Sequence, residues 1–255
     1  MCRHVAYIGP PGPLRSVLTD PPHALYRQAW APRLQRHGTV NADGFGVGWY
    51  ADGDPVPARY RRAVPIWGDP ALPDLARVIR SGAVLAAVRG ATPGTALGES
   101  AAAPFASGPW LFSHNGALDG WPAAAERLSA RLSGPSPFAM DAMVDSAFLW
   151  ALVLGRLRSG SPADTALAVT IRLVEEAGGS GRFNFLLTDG RVIAATTAGD
   201  TLWYRQAGAA VTVASEPSDD EPGWTEVPDR QVLTATPLDV TVRPLSSLTE
   251  GIALR

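Results

Sequence analysis

A chain of 255 residues, 46% of them hydrophobic, has the bulk for one sizeable α/β domain or two small ones, and a single domain over 1–255 is expected. The formal net charge of -2 and the complete lack of lysine leave no basic stripe, which argues against nucleic acid as a partner. The longest apolar stretch, around Ala147 to Leu154, is too short to span a bilayer, and Pro10 stops the first apolar run before it reaches the length of a secretory signal. A cytoplasmic protein with no membrane partner is therefore expected.

In chain order, Arg3 to Ile8 reads as a short strand that leads from Cys2 and ends at the Gly-Pro-Pro-Gly-Pro breaker. A polar, proline-containing stretch follows from Thr19 to Asn41. Gly44 to Tyr50 then reads as a strand whose glycines admit close backbone approach. Leu72 to Arg80 has helical spacing, and Ala83 to Arg89 is a buried strand. Trp110 to Leu118 reads as a strand interrupted by Asn115-Gly116, a turn dipeptide. Pro122 to Leu132 has helical spacing, and Asp141 to Leu157 reads as a buried helix. Ser161 to Ala177 reads as another helix, with Ser161 as N-cap, Pro162 in the first turn and Gly178-Gly179 at the exit. Asp189-Gly190 marks a hairpin between Arg182 to Leu187 and Arg191 to Thr197. Further short strands are expected at Leu202 to Arg205, Ala210 to Ala214 and Val232 to Thr236. Strands at both ends with two adjacent helices between them predict an α+β layered domain with helices packed on antiparallel sheets.

The single cysteine excludes an internal disulfide and a cysteine-built metal site. What sets it apart is its place behind Met1. Methionine removal exposes an α-amine on the same residue, and because the ordinary value of an α-amine, about 7.7–8.0, lies close to that of a free thiol, about 8.5, such an amine can take the thiol proton without a histidine. Alone, position two is weak, because a small buried cysteine near a terminus is common. The rest of an acyl-transfer site must come from elsewhere in the chain. Ser113-His114-Asn115-Gly116 offers a side-chain amide beside an unobstructed glycine N–H, which suits an oxyanion hole, although the same dipeptide alone reads as a plain turn. A γ-glutamyl head carries a carboxylate and an ammonium, and wants a fork of donors and an anion. Arg89 at the end of its strand and Asp145 inside its apolar helix supply that pair, with Thr92 and His114 as further substrate-binding residues. An arginine at a strand end can equally face solvent, and Asp145 needs a partner that is arginine, water or substrate.

These residues, with Met1-Cys2, Asn41-Ala42-Asp43-Gly44-Phe45-Gly46, Arg89 with Ala91-Thr92, and Asp145-Ser146, resemble the class II glutamine amidotransferases in identity and order. The resemblance runs to about Thr197, with an echo at Val213-Ala214-Ser215-Glu216-Pro217. It implies the four-layer αββα sandwich of N-terminal nucleophile hydrolases. By that resemblance Cys2 is the nucleophile and its amine the base, Asn115 and Gly116 form the oxyanion hole, and Arg89 and Asp145 grip the glutamyl head. Within the family, Met1 to Ala6, Arg36-His37-Gly38 and Pro65-Ile66-Trp67-Gly68-Asp69 are most similar to the γ-glutamyl amide hydrolases of ergothioneine biosynthesis. Pro93 and Ala147 stand where many synthase-linked members have a histidine and an acidic residue, so a substrate other than free glutamine is implied. No cofactor and no metal are expected. Two other readings stay open: a glutaminase subunit feeding ammonia to a separate synthase, and a non-catalytic binding protein of the same fold. A small-molecule γ-glutamyl substrate is the expected ligand, and assembly as a homo-oligomer or with a partner synthase is left undecided. Eight tryptophans are enough to box a trimethylammonium group, but the sequence does not single out which.

Overall fold

The strand that begins at Cys2 runs longer than its sequence implies. In a computed structural model, which describes residues 2–91, 94–132 and 140–248, it spans Cys2–Pro13 (β1). The proline run does not end the strand; it sits at a register irregularity between Ile8 and Gly12, where a missing N–H costs no ladder bond. The strands that follow are β2 (Phe45–Trp49), β3 (Ala58–Arg62), β4 (Arg80–Arg89), β5 (Phe105–Ser107) and β6 (Trp110–Leu118). After them come β7 (Gly181–Thr188), β8 (Ile193–Thr196), β9 (Trp203–Ala207), β10 (Ala210–Ala214), β11 (Thr225–Glu226), β12 (Gln231–Ala235) and β13 (Val240–Pro244). The α-helices are α1 (Arg15–Leu18), α2 (Leu25–Gln28), α3 (Leu72–Val78), α4 (Ala123–Leu132), α5 (Asp145–Arg158) and α6 (Ala163–Glu176). Among the described residues no helix is long and apolar enough to cross a membrane.

Two antiparallel sheets result, in the orders β11-β9-β10-β1-β4-β2-β3 and β13-β12-β8-β7-β6-β5. The period of two along each strand sorts their residues into three cores. Ala6 and Ile8 of β1, Leu85 of β4, Leu111 of β6 and Leu186 of β7 meet between the sheets. Their alternates, Val5, Val84, Ala86 and Val88, pack under α1 to α3. Phe112, Phe185 and Leu187 pack under α4 to α6. Helices, sheet, sheet and helices in that order make the αββα sandwich that the resemblance implied. Leu85, Leu111, Leu186 and Leu233 are fully buried between the sheets, and each contributes about 1.5–3 kcal/mol by leaving water. Close approach of backbone explains the glycines of β2: a Cβ at Gly46 would stand 2.3 Å from the Ala103 carbonyl oxygen.

Three further expectations need correction. Asn115-Gly116 makes no turn, because β6 pairs with β7 without a break from Leu111 to Leu118. The helix expected from Asp141 begins at Asp145, so that residue opens the helix rather than lying inside it. The last helix begins at Ala163 with Pro162 in the N-cap position, and Ser161 does not cap it. The sequence reading also misses β3, β5, β11 and β13 and the single-turn helices α1 and α2.

Candidate active site

Cys2 opens β1 at one end of the inter-sheet space. Alternation along β1 turns Cys2 and His4 to the same face as Ala6, inward to the second sheet, where β6 presents Ser113 and Asn115. The Cys2 backbone N–H donates to Asn115 Oδ1 at 3.3 Å across the gap. The other end of that amide, Asn115 Nδ2, is buried and has no hydrogen-bond partner among the described residues. An unspent donor in a buried place costs free energy unless something accepts from it.

The edge of β6 that faces away from β7 is covered by β5 only at Trp110, Leu111 and Phe112. Leu118 on that edge gives its N–H to Asp145 Oδ2 at 3.0 Å. Since strand N–H groups alternate in direction, the Gly116 N–H lies on the same open edge. Glycine is required there: a Cβ would stand 2.0 Å from the Arg182 carbonyl oxygen and 2.5 Å from His114 Nε2. Asp145 Oδ1 accepts the Ser146 N–H at 2.8 Å, so the partners the sequence left open are backbone N–H groups, Leu118 at the end of β6 and Ser146 at the start of α5. A carboxylate has about four acceptor positions, and capacity for a ligand remains.

Arg89 is the register partner of Cys2 on the next strand. Its guanidinium is nearly buried; Nη2 donates to Thr95 Oγ1 at 2.9 Å and to the Ala96 carbonyl at 3.0 Å, and Nη1 has no partner among the described residues. The Asn41 to Gly44 motif braces this strand end. The Asp43 N–H donates to the Arg89 carbonyl, the Arg89 N–H to the Gly44 carbonyl, and the Asp43 carboxylate takes the Ala91 N–H at 2.7 Å. Thr92 lies outside the described residues.

The two histidines near the site are both buried and both held neutral. Burial, with the neighbouring His114 and Arg3 making a further positive charge unfavourable, lowers His4 to about 3, with Nδ1 3.2 Å from Ser113 Oγ. A ring this reluctant to protonate is no base for a thiol at neutral pH. His114 is likewise lowered by burial and is not brought into the cleft. It projects from the opposite face of β6 to Asn115, with Nδ1 3.0 Å from Ser146 Oγ and Nε2 2.8 Å from the Arg182 carbonyl oxygen. The expected substrate contact by His114 is replaced by support of Gly116 from behind.

The structure thus brings Cys2, Arg89, Asn115, Gly116 and Asp145 to one end of the sandwich. Sequence reasoning missed His4, Ser113 and Asn184 around them. Asn184 is level with Asn115 on the neighbouring strand and clamps the β8 to β9 turn, accepting from the Ala198 and Asp200 N–H groups and donating to the Asp200 carbonyl. A polar amide between Phe183 and Phe185 was its one sequence signal.

A family model described as glutamine amidotransferases class-II matches residues 24–227. The gamma-glutamyl-hercynylcysteine sulfoxide hydrolase of Mycolicibacterium smegmatis is 42% identical over 245 residues, covering 96% of this chain and 100% of the relative. The protein of the same name from Mycobacterium tuberculosis is 40% identical over 96% of this chain and 97% of its own. Among solved structures, a glutamine aminotransferase class-II domain protein from Silicibacter pomeroyi superposes with a TM-score of 0.66 at 26% identity, covering 95% of this chain and 99% of that one. The glutamine phosphoribosylpyrophosphate amidotransferase of B. subtilis shares the fold with a TM-score of 0.62 at 17% identity over 95% of this chain and 49% of that one.

Proposed function

This chain belongs to the class II glutamine amidotransferases, and from that premise we propose that it is a hydrolase cutting the γ-glutamyl amide of γ-glutamyl-hercynylcysteine sulfoxide. The whole chain acts as one domain of this type, in the reducing cytoplasm that keeps its thiol free. The observation that carries the reading is the Cys2 nitrogen 3.3 Å from Asn115 Oδ1, with the amide's buried donor unspent beside it. The printed name of relatives at 40–42% identity supports the substrate.

Removal of Met1 turns the Cys2 nitrogen into a primary amine, and it takes the thiol proton directly or through one water. Sulfur attacks the γ-carbonyl carbon, and the carbonyl oxygen becomes an oxyanion that Asn115 Nδ2 and the Gly116 N–H stabilise. Arg89 Nη1 takes the α-carboxylate of the glutamyl group and Asp145 its α-ammonium. As the tetrahedral centre collapses, the carbon–nitrogen bond breaks and the departing amine takes the proton back from the Cys2 ammonium. Water, deprotonated by the same amine, then cleaves the γ-glutamyl thioester, releasing glutamate and restoring the thiol.

The test compares glutamate release from γ-glutamyl-hercynylcysteine sulfoxide and from free glutamine at equal concentration. The expected result is a higher kcat/KM for the sulfoxide. A higher value for glutamine would overturn the substrate assignment in favour of a glutaminase that feeds a synthase.

A further inference from the structure

Asp145 opens α5, and the run that leads into it, Met140 to Val144, is neither helix nor strand. Its side chains alternate. Met140, Ala142 and Val144 pack on the core under α4 to α6, while Asp141 and Met143 face outward. Apolar contact has no direction, so this packing holds the run down without fixing where along the surface it lies. Two directional links do fix it.

The first is an ion pair to the other sheet. Asp141 Oδ2 lies 3.5 Å from Arg61 Nη1 and 3.7 Å from Arg59 Nη1. Both arginines stand on the inner face of β3. Register sets Arg61 level with Gly46 and Ala87, and Arg59 level with Gly48 and Leu85, a residue of the inter-sheet core. The bare glycines of β2 let the chain near Ala103 and Pro104 lie over them, and the two guanidinium groups reach across to it. Arg59 donates to the Pro104 carbonyl at 3.3 Å, and Arg61 to the Ser100 and Ala102 carbonyls at 3.3 and 3.4 Å. Burial and the charge of Arg59 lower Arg61 from its ordinary value, and Asp141 opposes them. With the Arg61 side chain 18% exposed and that of Asp141 36%, water screens the pair only in part.

The second link is backbone. The Met143 carbonyl accepts the Ala96 N–H at 3.4 Å, and the Ala96 carbonyl accepts from Arg89 Nη2 at 3.0 Å. Ala96 therefore joins the run that carries Asp145 to the guanidinium of Arg89. The bonds of Asp145 itself, from Leu118 and Ser146, lie on the side of the second sheet. β3, β2, β4 and β1 are neighbours in the first sheet, so the Asp141 ion pair refers Asp145 to the sheet on which Arg89 and Cys2 stand.

We propose that Asp141 is a positioning residue for the γ-glutamyl head: through Arg59 and Arg61 it sets the distance between Asp145 and Arg89, the two groups that grip the α-ammonium and the α-carboxylate. The inference rests on the γ-glutamyl hydrolase reading and adds the ion pair that sizes its head pocket.

Two reagents that alkylate Cys2 test it. Iodoacetamide needs the thiol alone. Diazo-oxo-norleucine, the diazoketone analogue of glutamine, loses dinitrogen as the sulfur bonds its terminal carbon, and it needs the head pocket as well. Asp141→Asn is expected to slow inactivation by the diazoketone about fivefold or more, the upper end for a part-exposed ion pair, and to raise KM for a γ-glutamyl amide by a like factor with kcat nearly kept. The iodoacetamide rate should stay that of the wild type, and Asp141→Glu should recover part of the diazoketone rate. Arg59→Gln with Arg61→Gln should show the same selective loss, and adding Asp141→Asn to that pair should cost nothing more, because the interaction is already gone. Equal slowing of both reagents in Asp141→Asn, which marks a general fold defect, overturns the proposal and leaves the hydrolase reading standing. An unchanged diazoketone rate does the same. A wild-type protein that reacts with iodoacetamide but neither with the diazoketone nor with any γ-glutamyl amide removes the parent reading and this one with it.

Discussion

At Asn115 one side chain does two jobs: its oxygen fixes the Cys2 nitrogen and its nitrogen remains a donor in a buried place. Asn115→Ala is therefore expected to lower kcat about 10²- to 10³-fold, the cost of one oxyanion donor, with the unfolding midpoint little changed. Steady-state kinetics beside a denaturation curve check this, and near-normal kcat contradicts the assignment. His4 gives a pH prediction of defined sign. Folded, it stays neutral down to about 3; unfolded, it titrates at 6.5. Below 6.5 the unfolded chain binds a proton that the folded chain does not, so stability is complete above 6.5 and is lost as the pH falls toward 3. His114, also lowered by burial, adds in the same direction. His4→Gln should flatten the slope of unfolding free energy against pH in that window by up to about 1.4 kcal/mol per unit. An unchanged slope would show that His4 titrates normally in the fold. Cys2, Arg89, Asn115 and Asp145 were legible in the sequence because each sits in a short motif. Asn184 was not, since only the pairing of β7 with β6 sets it level with Asn115.

At the scale of elements, the buried ion pair of Arg3 with Glu216 ties three segments together. Arg3 Nη2 donates to Glu216 Oε2 at 3.1 Å, and both side chains are fully buried. The same carboxylate takes the Arg33 N–H at 2.9 Å and the Leu34 N–H at 2.8 Å, so β1, the residues after β10 and the loop at 33–34 share one anion. Glu216→Gln strands the Arg3 charge and should cost about 3–5 kcal/mol of stability in chemical denaturation. A cost under about 1 kcal/mol would mean that Arg3 finds another partner. Local signals misjudged elements where tertiary pairing overrode them. Asn115-Gly116 reads as a turn, yet pairing with β7 draws it straight, and Gly9-Pro10-Pro11-Gly12 reads as a stop, yet a register irregularity absorbs it. The strands β2, β4 and β7 were legible as short continuous apolar runs, buried on both faces between helices and the other sheet, and the long helices by their length and apolar content. Edge strands such as β3, with the sequence Ala58-Arg59-Tyr60-Arg61-Arg62, bury too little to show a period.

For the whole molecule, the order of layers was legible through resemblance rather than through periodicity, which separates helices from strands but does not say which sheet a strand joins. The sandwich brings the start of the chain, the ends of β4 and β6 and the start of α5 to a single end, which is what a nucleophile with its own amine requires. The central claim is that Cys2 is the first residue of the active protein and carries the γ-glutamyl group during turnover. Mass measurement of the N-terminal peptide, from protein acid-quenched during turnover, tests this most directly. The account predicts a peptide beginning at Cys2, part of it heavier by one γ-glutamyl group in thioester linkage. A fully active protein whose peptide still begins with Met1, or whose glutamyl group sits on another residue, would contradict it.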